Sequence, residues 1–139
     1  MDYFINNAGS PNGVIEGGIA IFASGNEYAG VPAYPGAYSK CVAVSAVAAD
    51  FTPSSYTNYG IEVDLCAPGG DAEYYNEIGK EDPEYWSKES PLASGSILST
   101  MIRNGNPAYG YMDGTSMACP HVSGVAALGI SYAVFCLKK

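Results

Sequence analysis

Two residues of this chain have types and surroundings suited to acyl transfer. Ser116 stands in Gly114-Thr115-Ser116-Met117-Ala118-Cys119-Pro120-His121-Val122-Ser123-Gly124. The aromatic run Tyr109-Gly110-Tyr111-Met112-Asp113 leads into it, and small residues continue to Ala127. This pattern predicts a serine on the first turn of a helix made of Ala, Val, Gly and Leu. A helix start offers backbone N–H groups without acceptors and carries partial positive charge, so an oxygen anion formed there is stabilised. A hydroxyl beside such donors is what nucleophilic acyl transfer needs. Gly-Thr-Ser alone reads better as a helix cap, which Thr115 could supply equally well. Asn26 closes Phe22-Ala23-Ser24-Gly25-Asn26-Glu27. Its neutral amide can donate to an oxyanion without adding a charge that would bind the ground state. Taken alone, Gly25-Asn26 is a common turn at a strand end.

His121 invites a role as general base, but its spacing argues otherwise. Five residues after Ser116 on a helix it is rotated by about 140° and displaced by ~7.5 Å. A base must come within hydrogen-bond reach of the hydroxyl it activates. No second histidine exists in the chain.

Read together, these blocks resemble the subtilisin-like serine proteases. The eleven-residue string looks like the nucleophile motif of that family, and Phe22 to Glu27 resembles its oxyanion-hole segment. Tyr34-Pro35-Gly36-Ala37-Tyr38 and Asp64-Leu65-Cys66-Ala67-Pro68-Gly69 add two further matches, in the family's order. The resemblance implies that Ser116 is the nucleophile and Asn26 an oxyanion donor. It implies a structural role for His121, with Ala23, Ser24 and Gly25 on one wall of the primary substrate pocket and Ala33 near its base. Small uncharged residues there suit a large apolar substrate side chain. The family's aspartate block and its His-Gly-Thr block normally precede the asparagine segment, and neither occurs here. The expectation is therefore residues 1–139 as the C-terminal part of a catalytic domain. It would hold a nucleophile and an anion hole but no general base, and would be inert alone. Its partners would be a polypeptide substrate and the missing N-terminal half.

Positioning these residues requires an α/β scaffold, and the apolar pattern supplies one. Ile19 to Ala23 and Cys41 to Val47 are short, continuous apolar runs, as in strands covered on both faces. Ile61 to Cys66 alternates like a strand with one wetter face, and Pro68-Gly69-Gly70 stops it. Ile97 to Ile102 reads as a further strand, with Asn104-Gly105 as the turn after it. From Thr115 the chain looks helical to about Cys136, and Met1 to Asn7 reads as a helical tail rather than a signal peptide. Ser10-Pro11-Asn12-Gly13 marks a turn. These elements predict a layered α/β domain. The resemblance implies a mostly parallel sheet flanked by helices, here incomplete.

Composition narrows the partners. With 47% hydrophobic residues, 14% charged residues and a net charge of −8, the chain is globular and unsuited to nucleic acid or anionic membranes. No apolar run reaches the ~20 residues of a membrane span. Cys41, Cys66, Cys119 and Cys136 are widely spaced and sit among apolar neighbours, so free, buried thiols are expected and zinc is not. Residues 71–95 form an acidic, aromatic surface insertion, with seven of the fourteen acids between 71 and 89. Calcium favours clustered carboxylates, but no EF-hand pattern occurs and no metal ligand or other cofactor is assigned. An incomplete parallel sheet would leave an open edge and apolar faces, which favours self-association. The resemblance places the parent protein outside the cell or in its envelope. A non-catalytic scaffold or peptide-binding module of the same fold is the alternative function. A nucleotide-binding domain is more distant, since Gly-x-Gly-x-x-Gly is absent after Phe22.

Overall fold

Short runs of small and β-branched residues, bounded by glycine and proline, build a parallel sheet. The computed structural model describes residues 1–9, 16–72 and 95–137. In it β1 (Ile21–Ala23), β2 (Val42–Val47) and β3 (Leu65–Pro68) pair in that order, all parallel. Val44 sits at the centre of the register, opposite Ala23 on one side and Leu65 on the other. Side chains alternate across a sheet, so Val42, Val44 and Ala46 share one face with Ile21 and Ala67. A long helix, α2 (Thr115–Leu137), covers that face and touches all three strands.

The core between them is built from small side chains. Val44, Ala46, Ala67 and Ala118 are buried, with Ile21, Val42, Tyr56, Cys119 and Val122 packed around them. Alanine facing alanine lets the first turns of α2 approach the sheet closely, which fixes where Ser116 can stand. Full burial of Val44 contributes about 1.5–3 kcal/mol. Pro120, six residues into α2, has no N–H to donate to Ser116 O, so this helix starts with an interrupted ladder.

A short helix, α1 (Asp2–Asn7), precedes the sheet, and its Ile5 O accepts the Gly18 N–H at 2.9 Å. An antiparallel hairpin of β4 (Ile97–Arg103) and β5 (Asn106–Met112) turns at Asn104-Gly105, both with positive φ, and delivers the chain to α2. The expected α/β class and parallel sheet are therefore present.

Two expectations change. β3 begins at Leu65 rather than Ile61, because Gly60 (φ 133°) opens a turn closed by Val63 N–H on Gly60 O at 3.2 Å. Ile61 is left 96% exposed in that turn. Among the thiols, Cys41 is buried and Cys119 half-buried, but Cys66 is exposed; all three are free. Cys66 lies in register with Ser45 on the face away from α2, which no described helix covers. Cys136, the turn at 10–13 and residues 73–94 of the acidic segment lie outside the described residues. Asp71, at the start of that segment, is 2% exposed and accepts both the Ser55 N–H and, at 3.1 Å, the Ser55 hydroxyl.

Candidate active site

Strand β1 carries Asn26 to the start of α2. Pairing with β2 continues past Ala23, where Ser24 N–H donates to Val44 O at 2.9 Å. Gly25, at φ 106°, then turns the chain out of the sheet. Glycine is required there twice over: its φ disfavours a side chain, and a β-carbon would run into the Asn58 amide.

The Asn26 side chain meets the first residue of α2. Asn26 Oδ1 accepts the Thr115 N–H and the Thr115 hydroxyl, each at 2.8 Å. Thr115 is fully buried, and its Oγ1 also accepts Gly25 N–H at 3.3 Å. Two donors on one side chain atom settle which end of the amide is oxygen. The Nδ2 donors of Asn26 therefore point elsewhere. The helix cap, sought within the Gly-Thr-Ser stretch itself, comes instead from a residue 89 positions earlier.

The leading amides of α2 can be followed one by one. Thr115's goes to Asn26 Oδ1, and those of Met117 and Ala118 go to Gly114 O at 2.9 and 3.3 Å. The Ser116 N–H has no acceptor among the described residues. Gly114 has φ 150°, and a β-carbon built there would lie 3.5 Å from Asn26 Nδ2 and 3.6 Å from Ser116 N. The place a Gly114 side chain would take is thus within contact range of two nitrogens that carry N–H donors, with Met117 Sδ at 3.7 Å. Ser116 itself is exposed.

The remaining sequence-selected residues gather on the other side of Gly25. Ala23 ends β1 half-buried, and Gly25 is likewise half-buried. Ser24 is 4% exposed, with its hydroxyl directed at Asn58 O at 3.5 Å. Ser24 and Ala33 line one small cleft, together with Val31, Ala37, Asn58 and Glu62. A β-carbon on Gly36 would stand 3.4 Å from both Ala23 O and Ala33 O, so the Ala33 loop closes directly onto the end of β1. His121 is exposed, and its Nδ1–H donates to Met117 O at 2.8 Å.

Two residues with a part in this geometry were given no site role from sequence, Thr115 being named only as a possible cap. Thr115 locks Asn26, and Asn58 (3% exposed) holds the loop on which Asn26 rides. Asn58 stands in a polar stretch, Thr52 to Gly60, whose composition looks like any loop; only the fold shows that its amide is internal. Near it, Tyr56 donates from its hydroxyl to Gly69 O or Gly70 O, at 2.9 and 2.6 Å. Burial is the main cause that pushes the Tyr56 hydroxyl above the usual phenol range. Among the described residues no group of three or more His, Cys, Asp or Glu side chains could hold a metal ion.

Comparison with known proteins decides the kinship. The profile of the Subtilase family matches residues 4–134. The chain belongs to the subtilase family. It is 37% identical over 113 residues to halolysin of Haloferax mediterranei, covering 81% of this chain and 17% of halolysin. With the major intracellular serine protease of Bacillus subtilis it shares 35% identity over 126 residues, 87% of this chain and 31% of that protein. A solved protease from Pseudoalteromonas arctica superposes with a TM-score of 0.62 at 33% identity, covering 79% of this chain and 29% of that one. This subtilase chain thus spans less than a third of the length of these relatives. Among its described residues no helix is long and apolar enough to cross a membrane.

Proposed function

We propose that this subtilase chain supplies the nucleophile and the oxyanion hole of a serine endopeptidase. One observation carries the reading: the Ser116 amide, without an acceptor, and Asn26 Nδ2 border the same space beside Gly114. A peptide carbonyl oxygen in that space would accept from both as it turns into an anion. Ser116 Oγ attacks the carbonyl carbon, its proton passes to a base, the amine leaves, and water then releases the acyl group. Preorganised donors aimed at the oxyanion stabilise the transition state more than the substrate.

The base is not assigned to His121, which lies five residues after Ser116 and is rotated from it by about 140° around the helix. The reading assigns base and orienting carboxylate to residues outside these 139, and the chain alone is expected to be inert, since an unactivated serine hydroxyl is a poor nucleophile at neutral pH. The substrate is a polypeptide, with its primary side chain directed to the cleft region of Ala23, Ser24, Gly25 and Ala33. An apolar side chain is expected there. A chromogenic peptide panel in which Lys or Arg is preferred would contradict this and point to Glu62. The complete protein is assigned to the exterior or envelope of the cell, which fractionation tests; recovery with cytosolic markers would refute it. The chemistry uses no cofactor.

Fluorophosphonate labelling of the polypeptide that unites this chain with its base tests the reading. Ser116 takes the label in the unmodified protein and not in Ser116→Ala, and Asn26→Ala slows it by about 10²–10³-fold, the loss that a subtilisin suffers when one such donor is removed. Equal labelling of all three proteins would instead favour a non-catalytic scaffold.

A further inference from the structure

The two arms of the hole lie far apart in sequence, and the bonds that join them directly run through Thr115. Both arms are also fastened to a third segment, Tyr56-Thr57-Asn58. Asn58 takes up most of the polar backbone of the Asn26 arm. Its Oδ1 accepts Glu27 N–H at 2.9 Å and Ala29 N–H at 3.0 Å. Its Nδ2 donates to Ser24 O at 3.0 Å and to Glu27 Oε2 at 2.8 Å, and its own N–H donates to Gly25 O at 3.0 Å. The carboxamide is 3% exposed with every donor and acceptor used, so it has no freedom to choose other partners.

Two residues back, Tyr56 reaches the opposite arm. Its hydroxyl bonds Gly69 O or Gly70 O, and Gly69 O also accepts Gly114 N–H at 3.0 Å. Tyr56 O accepts Tyr28 N–H at 2.9 Å, and Ala46 N–H donates to Thr57 Oγ1 at 2.9 Å, which roots the segment in the central strand. One short stretch thus grips the loop carrying Asn26 and the turn carrying Gly114 and Ser116.

We propose that Tyr56 and Asn58 are positioning residues for the oxyanion hole, Asn58 setting the Asn26 donor and Tyr56 the Ser116 amide. The proposal rests on the hole assigned above. Tyr56 is not among the residues that line the substrate cleft; Asn58 borders it, but its carboxamide is spent on the Asn26 loop. Each fixes where a donor stands, and a displacement of about 1 Å can cost a reaction of this kind on the order of 10²-fold.

The test is a set of mutant cycles in the polypeptide that unites this chain with its base, with kcat and KM measured per titrated active site and melting temperature alongside. Asn58→Asp puts a carboxylate against Glu27 Oε2 and is expected to lower kcat about 10- to 100-fold, with KM changed less than about twofold. Adding Glu27→Gln returns a donor–acceptor match at residue 27 and restores part of that kcat, the Ser24 carbonyl still facing a carboxylate oxygen. In an Asn26→Ala background Asn58→Asp costs less than about twofold, because the donor it positions is gone. Tyr56→Phe, which keeps the ring, lowers kcat severalfold by the same factor with or without Asn26, since it acts on the other arm. Should Asn58→Asp fail to fold, Asn58→Ser in the same cycle serves. An equal kcat loss for the Asn58 variant in both backgrounds, or a fall in melting temperature with kcat per site unchanged, overturns the proposal. If Asn26→Ala itself leaves kcat unchanged, the hole assignment fails instead.

Discussion

At the scale of single residues, the site depends on what Gly114 lacks. A β-carbon there would lie 3.5 Å from one donor and 3.6 Å from the other, crowding the place assigned to the oxygen anion. Gly114→Ala is therefore expected to reduce labelling of Ser116 to a level near that of Asn26→Ala, although neither donor is altered. It should also destabilise the fold by about 1–3 kcal/mol, because φ of 150° is strained for a residue with a β-carbon. Labelling kinetics and thermal melts measure the two effects separately; unchanged labelling would place the anion elsewhere. Ser116 and Asn26 stood out as candidates in the sequence because each sits in a long, distinctive block, and the fold brings their segments together at the start of α2. Thr115 was visible only as a possible cap, and Asn58 not at all. A buried asparagine and a loop asparagine are identical in a string; burial is what makes Asn58's four side-chain bonds obligatory.

At the scale of elements, the segment from Ser54 to Asn58 ties β2 to the end of β3. Ser54 N–H donates to Ala46 O at 3.0 Å, and Ser54 Oγ to Gly70 O at 2.8 Å, beside the Tyr56 hydroxyl. Burial raises the hydroxyl pKa of Tyr56 in the fold above its ordinary value. The unfolded chain therefore loses this proton first as pH rises. The stability linked to it is complete below about pH 10 and falls away as pH climbs through the raised value. Tyr56→Phe should lower stability by about 0.5–1.5 kcal/mol at neutral pH, for one lost hydrogen bond, and flatten the decline above pH 10. Melting curves of both proteins between pH 8 and 12 check this, and parallel declines would contradict it. Strands β1 and β2, the hairpin and the long helix follow from apolar runs and turn residues. The start of β3 does not, since Ile61 continues the alternating pattern into a turn that Gly60 dictates. Nor does apolar context predict cover: Cys66 has apolar sequence neighbours and faces outward.

At the scale of the whole molecule, much apolar surface faces solvent. Val125 and Leu128 on α2 are 69% and 71% exposed, and Ile102 and Tyr109 on the hairpin 70% and 75%. Among the described residues, β1 and β3 are the outer strands of the three-stranded sheet, each paired on one side. Such edges and patches favour pairing with another chain. The chain alone is expected to self-associate in light scattering at high concentration, and less so when mixed with a polypeptide that completes the domain; a monodisperse monomer would contradict this. The family was announced by local motifs, and the parallel sheet came with the family; the apolar runs alone announced a layered α/β domain. The sequence could not announce which faces stay bare, since that depends on partners distant in space. The central claim, that the Ser116 amide and the Asn26 side chain hold one oxygen between them, is tested most directly by the crystal structure of the phosphonylated Ser116 adduct of the completed protein. The account predicts a phosphonyl oxygen about 2.7–3.1 Å from both Ser116 N and Asn26 Nδ2. An adduct whose oxygens reach only one of the two, with the other donor turned to solvent, would contradict it.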